Sequence, residues 1–110
     1  MQHKQLASGR WMELSLIEQL ANIGSEVERT IQWKKKGNTE YSRLAFERAL
    51  ELLDMTLGDK KNTLRLREVV RVREGLVDYF LLENEYKSSD EIWQKYFYAF
   101  TFSASLRRGF

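Results

Sequence analysis

The stretch Ser15–Gly37, SLIEQLANIGSEVERTIQWKKKG, holds a start, a face and a stop for one long helix. Ser15 and Glu18 stand at the spacing of a capping box. The Ser hydroxyl accepts the backbone N–H three residues on, and the Glu carboxylate reaches back to the N–H of the cap. Leu16, Leu20, Ile23, Val27 and Ile31 then recur at helical spacing and make one apolar stripe. Lys34, Lys35 and Lys36 put positive charge at the negative end of the helix dipole. Gly37 supplies the stop. This reading predicts a helix near 15–36.

The same punctuation recurs three times downstream. Asn38 or Thr39 caps a second segment near 39–57, with the stripe Ala45, Phe46, Ala49, Leu50, Leu53 and Leu57 and a terminal Gly58. A third, near 63–82, opens at Asn62-Thr63 and carries Leu66, Val69, Val70, Leu76, Val77 and Phe80. After a polar connection, Ser88-Ser89-Asp90-Glu91 repeats the capping-box pattern and opens a fourth near 89–107. Residues 1–12 are expected to form an N-terminal extension. Helices of roughly 18–22 residues are about 30 Å long. Similar lengths and short connections favour antiparallel neighbours. The expected fold is therefore all-α, an antiparallel up-down-up-down four-helix bundle, with residues 1–110 as one domain.

Composition narrows the class. At 43% hydrophobic and 31% charged residues, the chain suits a compact domain rather than a disordered one. It contains no Pro, which argues against a turn-rich β sandwich, and no Cys, which removes disulfides and thiolate metal sites. No apolar run is long enough to cross a membrane, and MQHKQLASGRW lacks the apolar centre of a signal peptide. A cytoplasmic protein with no membrane partner is expected.

The fourth segment is the richest in aromatic side chains: Trp93, Tyr96, Phe97, Tyr98, Phe100 and Phe102 lie within ten residues. On a helix, Ile92, Trp93, Tyr96, Phe97, Phe100 and Ala104 point to the core. Tyr98 and Phe102 fall on the opposite side, with Ala99 and Leu106 alongside. Apolar residues on an outward face mark protein interfaces. Tyr98, Phe102 and Leu106 are therefore the candidate interface, and Trp33, off the stripe of the first helix, is its candidate extension.

Catalytic chemistry finds little support. The sole His is His3, so Ser–His pairs and His-ligated metals are excluded, as are the Glu-x-x-His motifs of di-iron bundles. Glu47, Glu51 and Asp54 form a row that points away from the second stripe, the place of a solvated face. Glu51-x-x-Asp54 matches one motif of the all-α nucleotide pyrophosphohydrolases by spacing. No Glu-x-x-Glu precedes it, so that class is set aside. No catalytic residue, cofactor or metal is expected. Arg73 is the exception to a bland surface, because it interrupts the third stripe where an aliphatic residue belongs. A buried guanidinium needs a partner. Glu28, Asp78 and the Tyr96 hydroxyl are the candidates, and Arg73 with Asp78 is the candidate buried charge. An Arg at the seam edge with its head in water is the reading preferred to burial.

In size, in helix count and in Arg73-x4-Asp78, the chain resembles HEPN domains, four-helix prokaryotic bundles whose ribonuclease members carry Arg-x4–6-His. Asp78 stands where the His would be, so the resemblance implies a binding member and not a nuclease. The chain also resembles short uncharacterised prokaryotic four-helix-bundle proteins.

The net charge of +2 identifies no partner by itself. In an up-down-up-down bundle, one end gathers Arg10, Lys60, Lys61, Arg65, Arg107 and Arg108, a candidate anion-binding pole. The other end sets Lys34–Lys36 beside Glu40, Glu83, Glu85, Asp90 and Glu91. The sequence points first to a non-catalytic protein that associates with itself as a homo-oligomer, or with another protein. Its second reading is a HEPN-like bundle that binds nucleic acid or a nucleotide at the basic end or near Arg73.

Overall fold

The computed structural model describes residues 9–107, and among them every regular element is helical. Four main helices are α1 (Leu16–Lys35), α2 (Thr39–Leu57), α3 (Leu66–Leu81) and α4 (Asp90–Arg107). A helical turn at 9–13 precedes α1, and a 3-10 segment, Lys60–Arg65, joins α2 to α3.

The ends of α1 and α2 lie where local chemistry placed them. Both halves of the Ser15–Glu18 box form, at 3.0 and 3.1 Å. Asn38 caps α2 by accepting from the Tyr41 N–H at 2.9 Å. Gly37 has φ +79°, a left-handed conformation that other residues rarely adopt. The α4 cap is Ser89, whose hydroxyl accepts from the Ile92 N–H at 3.2 Å. In that frame Ile92 takes the position where a box would need Glu. α3 starts at Leu66, later than the pattern predicted, because Asp59 caps a tighter 3-10 segment through the Lys61 N–H.

α1 is the central helix. Leu20, Ile23, Val27 and Ile31 are buried against Phe46, Ala49 and Leu53 of α2, Val69, Val72 and Leu76 of α3, and Trp93 and Phe97 of α4. Side-chain pairings run in opposite senses along each neighbouring pair. On α1 and α2, Ser42 donates to the Thr30 carbonyl and Arg48 pairs with Glu26. On α1 and α4, Lys34 meets Asp90 and Gln94 donates to Glu28. On α2 and α3, Phe46 packs on Phe80 and Asp54 pairs with Arg73.

Two glycines set how closely α4 approaches. A Cβ on Gly24 of α1 would lie 2.6 Å from the Phe97 Cβ, and one on Gly75 of α3 would lie 2.9 Å from the Trp93 ring. Phe97 and Trp93 are one helical turn apart and stack at 6.0 Å between centroids. Glycine costs up to about 1 kcal/mol against alanine within a helix. Here the missing methyl provides the space in which the aromatic rings sit.

One end of the molecule is held by a buried polar network that hydrophobic periodicity did not announce. Trp11 is only 6% exposed, so residue 11 of the expected N-terminal extension belongs to the core; residues 1–8 lie outside the described residues. Its indole N–H donates to the Thr56 hydroxyl at 3.0 Å. Gln19 is fully buried; its amide donates to the Trp11 carbonyl and to Asp59, and accepts from Asn62. Lys61 bonds Asp59 and also donates to the Met12 carbonyl. Burial alone would raise the Asp59 carboxyl. Hydrogen bonds from the Lys61 side chain, Gln19 and the Lys61 backbone, with the Lys61 charge, outweigh it and hold the group below its ordinary 3.8. At the opposite end, Tyr79 donates to Asp90 at 2.7 Å beneath the Lys34 ammonium. Burial and the Asp90 carboxylate push the Tyr79 phenol up to about 12.

Three apolar residues depart from the core expected for them. The buried face of α3 is Val69, Val72, Gly75 and Leu76, which turns Leu66 and Val70 outward, at 39% and 37% exposure. Ile92 is 54% exposed, because α4 directs Trp93 and Phe97 at its neighbours and leaves the adjacent residue on the flank.

Gly24→Ala should lower the unfolding free energy by about 1 kcal/mol or more in urea titrations, since overpacking of about 1–3 kcal/mol exceeds the gain in helix propensity. Ser25→Ala, exposed beside it, should stay within about 0.5 kcal/mol. A Gly24→Ala protein as stable as the parent would contradict this close approach. The depressed Asp59 carboxyl stabilises the fold above its unfolded value, and that contribution is lost as pH falls through the folded one. Asp59→Asn should therefore be less stable than the parent at neutral pH, with the gap closing below about pH 4. A pH-independent gap would remove the carboxylate's charge from the account.

Candidate functional site

The side chains with outward-facing chemistry collect around α4. Tyr98, Phe102 and Leu106 succeed one another at one-turn spacing and are 66%, 52% and 56% exposed. The Tyr98 and Phe102 rings lie nearly parallel, 22° apart, with centroids 6.3 Å apart. Together they form an apolar strip that none of the other described helices covers. Trp33 does not extend it: its ring packs edge-on to Tyr41 at 4.9 Å, beneath the Lys36 ammonium, at the α1–α2 connection.

Two depressions flank α4. A cleft of about 510 Å³ lies on the α1 side, between Ser25, Glu28 and Arg29 and the α4 residues Gln94, Tyr98 and Thr101. On the α3 side a groove of about 740 Å³ opens between the helices. The difference follows from how α4 docks. Against α1 the contact at Gly24 reaches the Phe97 Cβ itself, whereas against α3 the far edge of the Trp93 indole touches Gly75. A whole indole therefore spaces α3 from α4.

Val72, Gly75, Ile92 and Trp93 supply the groove's apolar surface, and Tyr86 and Tyr96 supply aromatic walls. The buried Trp93 indole N–H has no acceptor among the described residues. Tyr96 donates to Glu68 at 3.2 Å; burial, reinforced by the Glu68 charge and this bond, raises its phenol far above the ordinary range. Arg65 takes the other Glu68 oxygen at 2.5 Å. On the α3 rim, Arg67, Arg71 and Glu74 are exposed, and among the described residues neither Arg has an ion-pair or hydrogen-bond partner.

Arg73 is not a buried charge. Its stripe position lies at the edge of the face that α3 buries; its side chain is 36% exposed and its guanidinium pairs with Asp54 at 2.9 Å. The partners considered for it are engaged elsewhere: Glu28 with Gln32 and Gln94, and Tyr96 with Glu68. Asp78 is buried, and both its oxygens accept backbone N–H groups, from Glu85 and Tyr86. It fixes the α3–α4 connection, where Asn84 adopts a left-handed φ of 55°. Glu51 also departs from the solvated row, being half-buried with one carboxylate oxygen inaccessible and without a partner among the described residues, while Glu47 and Asp54 are exposed.

At the basic end, Arg10 and Lys60 are exposed without a carboxylate partner among the described residues, whereas Lys61 and Arg65 are held by Asp59 and Glu68. Arg107 is the last residue of α4, and Arg108 lies outside the described residues. Among the described residues no His, Asp and Glu side chains group as a metal site, and no helix is long and apolar enough to cross a membrane. No family model matches the chain, and neither a curated protein nor a solved structure matches it.

Arg73→Ala should lower the unfolding free energy by less than about 1 kcal/mol, the range of a solvent-screened pair. A loss of about 3–5 kcal/mol in equilibrium denaturation would signal a buried ion instead.

Proposed function

We propose that this protein is a non-catalytic association module that pairs with a second copy of itself through the outer strip of α4. The observation that carries this reading is the run of Tyr98, Phe102 and Leu106, three large apolar side chains more than half exposed on one helix face. Exposing such a strip to water is unfavourable, and a matching strip on a second copy removes both at once. Stacking of Tyr98 on Phe102 orders the rings before any partner arrives, which lowers the entropy lost on association.

The frame behind the strip is read as an antiparallel up-down-up-down four-helix bundle. The opposed pairings along α1–α2, α1–α4 and α2–α3 support that topology, as does Gly75 of α3 against Trp93 of α4. The bundle's two ends are closed by the Gln19–Asp59 and Tyr79–Asp90 bonds. A HEPN-like bundle that binds nucleic acid or a nucleotide is the second reading. Exposed Arg10 and Lys60 favour it, and the commitment of Lys61, Arg65 and Arg73 to carboxylates counts against it.

Sedimentation velocity over a wide concentration range should show the parent self-associating and Phe102→Asp remaining monomeric with unchanged helical circular dichroism. A parent that is monomeric throughout would overturn self-association through this face.

A further inference from the structure

We propose that the α3–α4 groove is a docking site for an acidic amphipathic helix of another protein. The site is separate from the Tyr98–Leu106 strip and does not depend on self-association.

Three observations lead there. Arg67, Arg71 and Glu74 stand at one-turn intervals on α3 and line depressions on both of its flanks. One is the groove floored by Val72, Gly75 and Trp93; the other is bordered by Leu66 and Val70. The charged row thus runs between two apolar surfaces. Next, the guanidiniums of Arg67 and Arg71 have no partner among the described residues, although Arg65 and Arg73 on the same stretch each hold a carboxylate. Glu68, which also lines the groove, is paired with Arg65, so two free guanidiniums against the Glu74 carboxylate leave the rim positive. Finally, large apolar side chains edge the groove in the open, with Ile92 at 54% and Tyr86 at 68% exposure.

An amphipathic helix matches this surface in shape and charge. Its apolar side chains at successive turns enter a groove of this kind. Carboxylates flanking that stripe meet Arg67 and Arg71, whose planar forks suit bidentate carboxylate recognition. A nucleic acid fits less well, because it brings no row of aliphatic side chains to fill the apolar floor of Val72, Gly75 and Trp93. A basic helix would face the two arginines directly.

The probe is a short synthetic helix with a leucine stripe flanked by glutamates. Its control keeps the leucines and replaces each glutamate with lysine. Fluorescence anisotropy is read on Phe102→Asp protein, so that self-association does not compete. The acidic peptide should bind and the basic one should not. The double variant Arg67→Glu/Arg71→Glu, at exposed positions with no partner to lose among the described residues, should bind the acidic peptide about tenfold or more weakly and should now take the basic one. Ile92→Asp should weaken the acidic peptide too, with circular dichroism confirming that each variant remains folded. Equal binding of both peptides, binding of neither, or an affinity unmoved by the double variant would overturn the proposal. Displacement of the acidic peptide by single-stranded RNA with unchanged affinity for the double variant would overturn it as well.

Discussion

The placement of two rings, Phe97 against Gly24 and Trp93 against Gly75, governs the rest of the packing around α4. Helices approach until side chains meet, and the distance is set by what stands between them. On the α1 side nothing intervenes, since the glycine has no side chain and the Phe97 Cβ lies nearly on the α1 backbone. On the α3 side the whole indole of Trp93 stands between the helices. Both rings belong to one rigid helix, one turn apart. The groove between α3 and α4 lies on the side where that indole stands between the helices.

The polar network around Gln19 is constrained differently. A buried amide, hydroxyl and carboxylate each lose water on folding, and each unsatisfied group costs about 1–3 kcal/mol. Trp11, Gln19, Thr56, Asp59 and Asn62 answer one another's donors and acceptors, with Lys61 supplying the charge that Asp59 requires. Such a set is stable only when complete. It joins the turn at 9–13, the start of α1 and the α2–α3 connection into one unit. Both the residue order along the chain and the buried position of Trp11 are tied to that closure.

Caps and stripes made α1 and α2 legible in the sequence, because a Ser–Glu box, an Asn cap and a left-handed Gly are local chemistry. The face of α3 was less legible. Leu66, Val69, Arg73 and Leu76 form as regular a stripe as Val69, Val72 and Leu76, and only the position of α2 and α4 decides between them. The first choice puts Arg73 in mid-stripe, either buried with a partner or snorkelling from a seam edge, and the second puts it at an exposed edge. The polar network was hidden for the opposite reason: Gln19, Asn62 and Asp59 are polar residues at ordinary positions, and pairing across about forty residues leaves no local signature. The one available hint was Asp59 directly after Gly58, an N-cap residue ahead of a short helical segment. Tyr98 and Phe102 were legible because they fell outside a stripe whose own members were plain, whereas Ile92 was assigned to that stripe and lies on the flank.

A helix with apolar side chains around most of its circumference must be covered on most of its sides or expose what is left. α4 is such a helix. α1 covers the Phe97 side, and α3 meets the Trp93 side only through a ring edge. What remains falls into two faces of different chemistry. Tyr98, Phe102 and Leu106 form an apolar strip on one. On the other, Ile92 and Tyr86 share a groove with Arg67 and Arg71, which have no partner among the described residues. An apolar strip is complementary to a copy of itself. The α3 rim differs, because it carries the charged side chains of Arg67, Arg71 and Glu74 beside its apolar surface. On the proposed reading the occupant of the groove brings carboxylates, and the two faces take different partners.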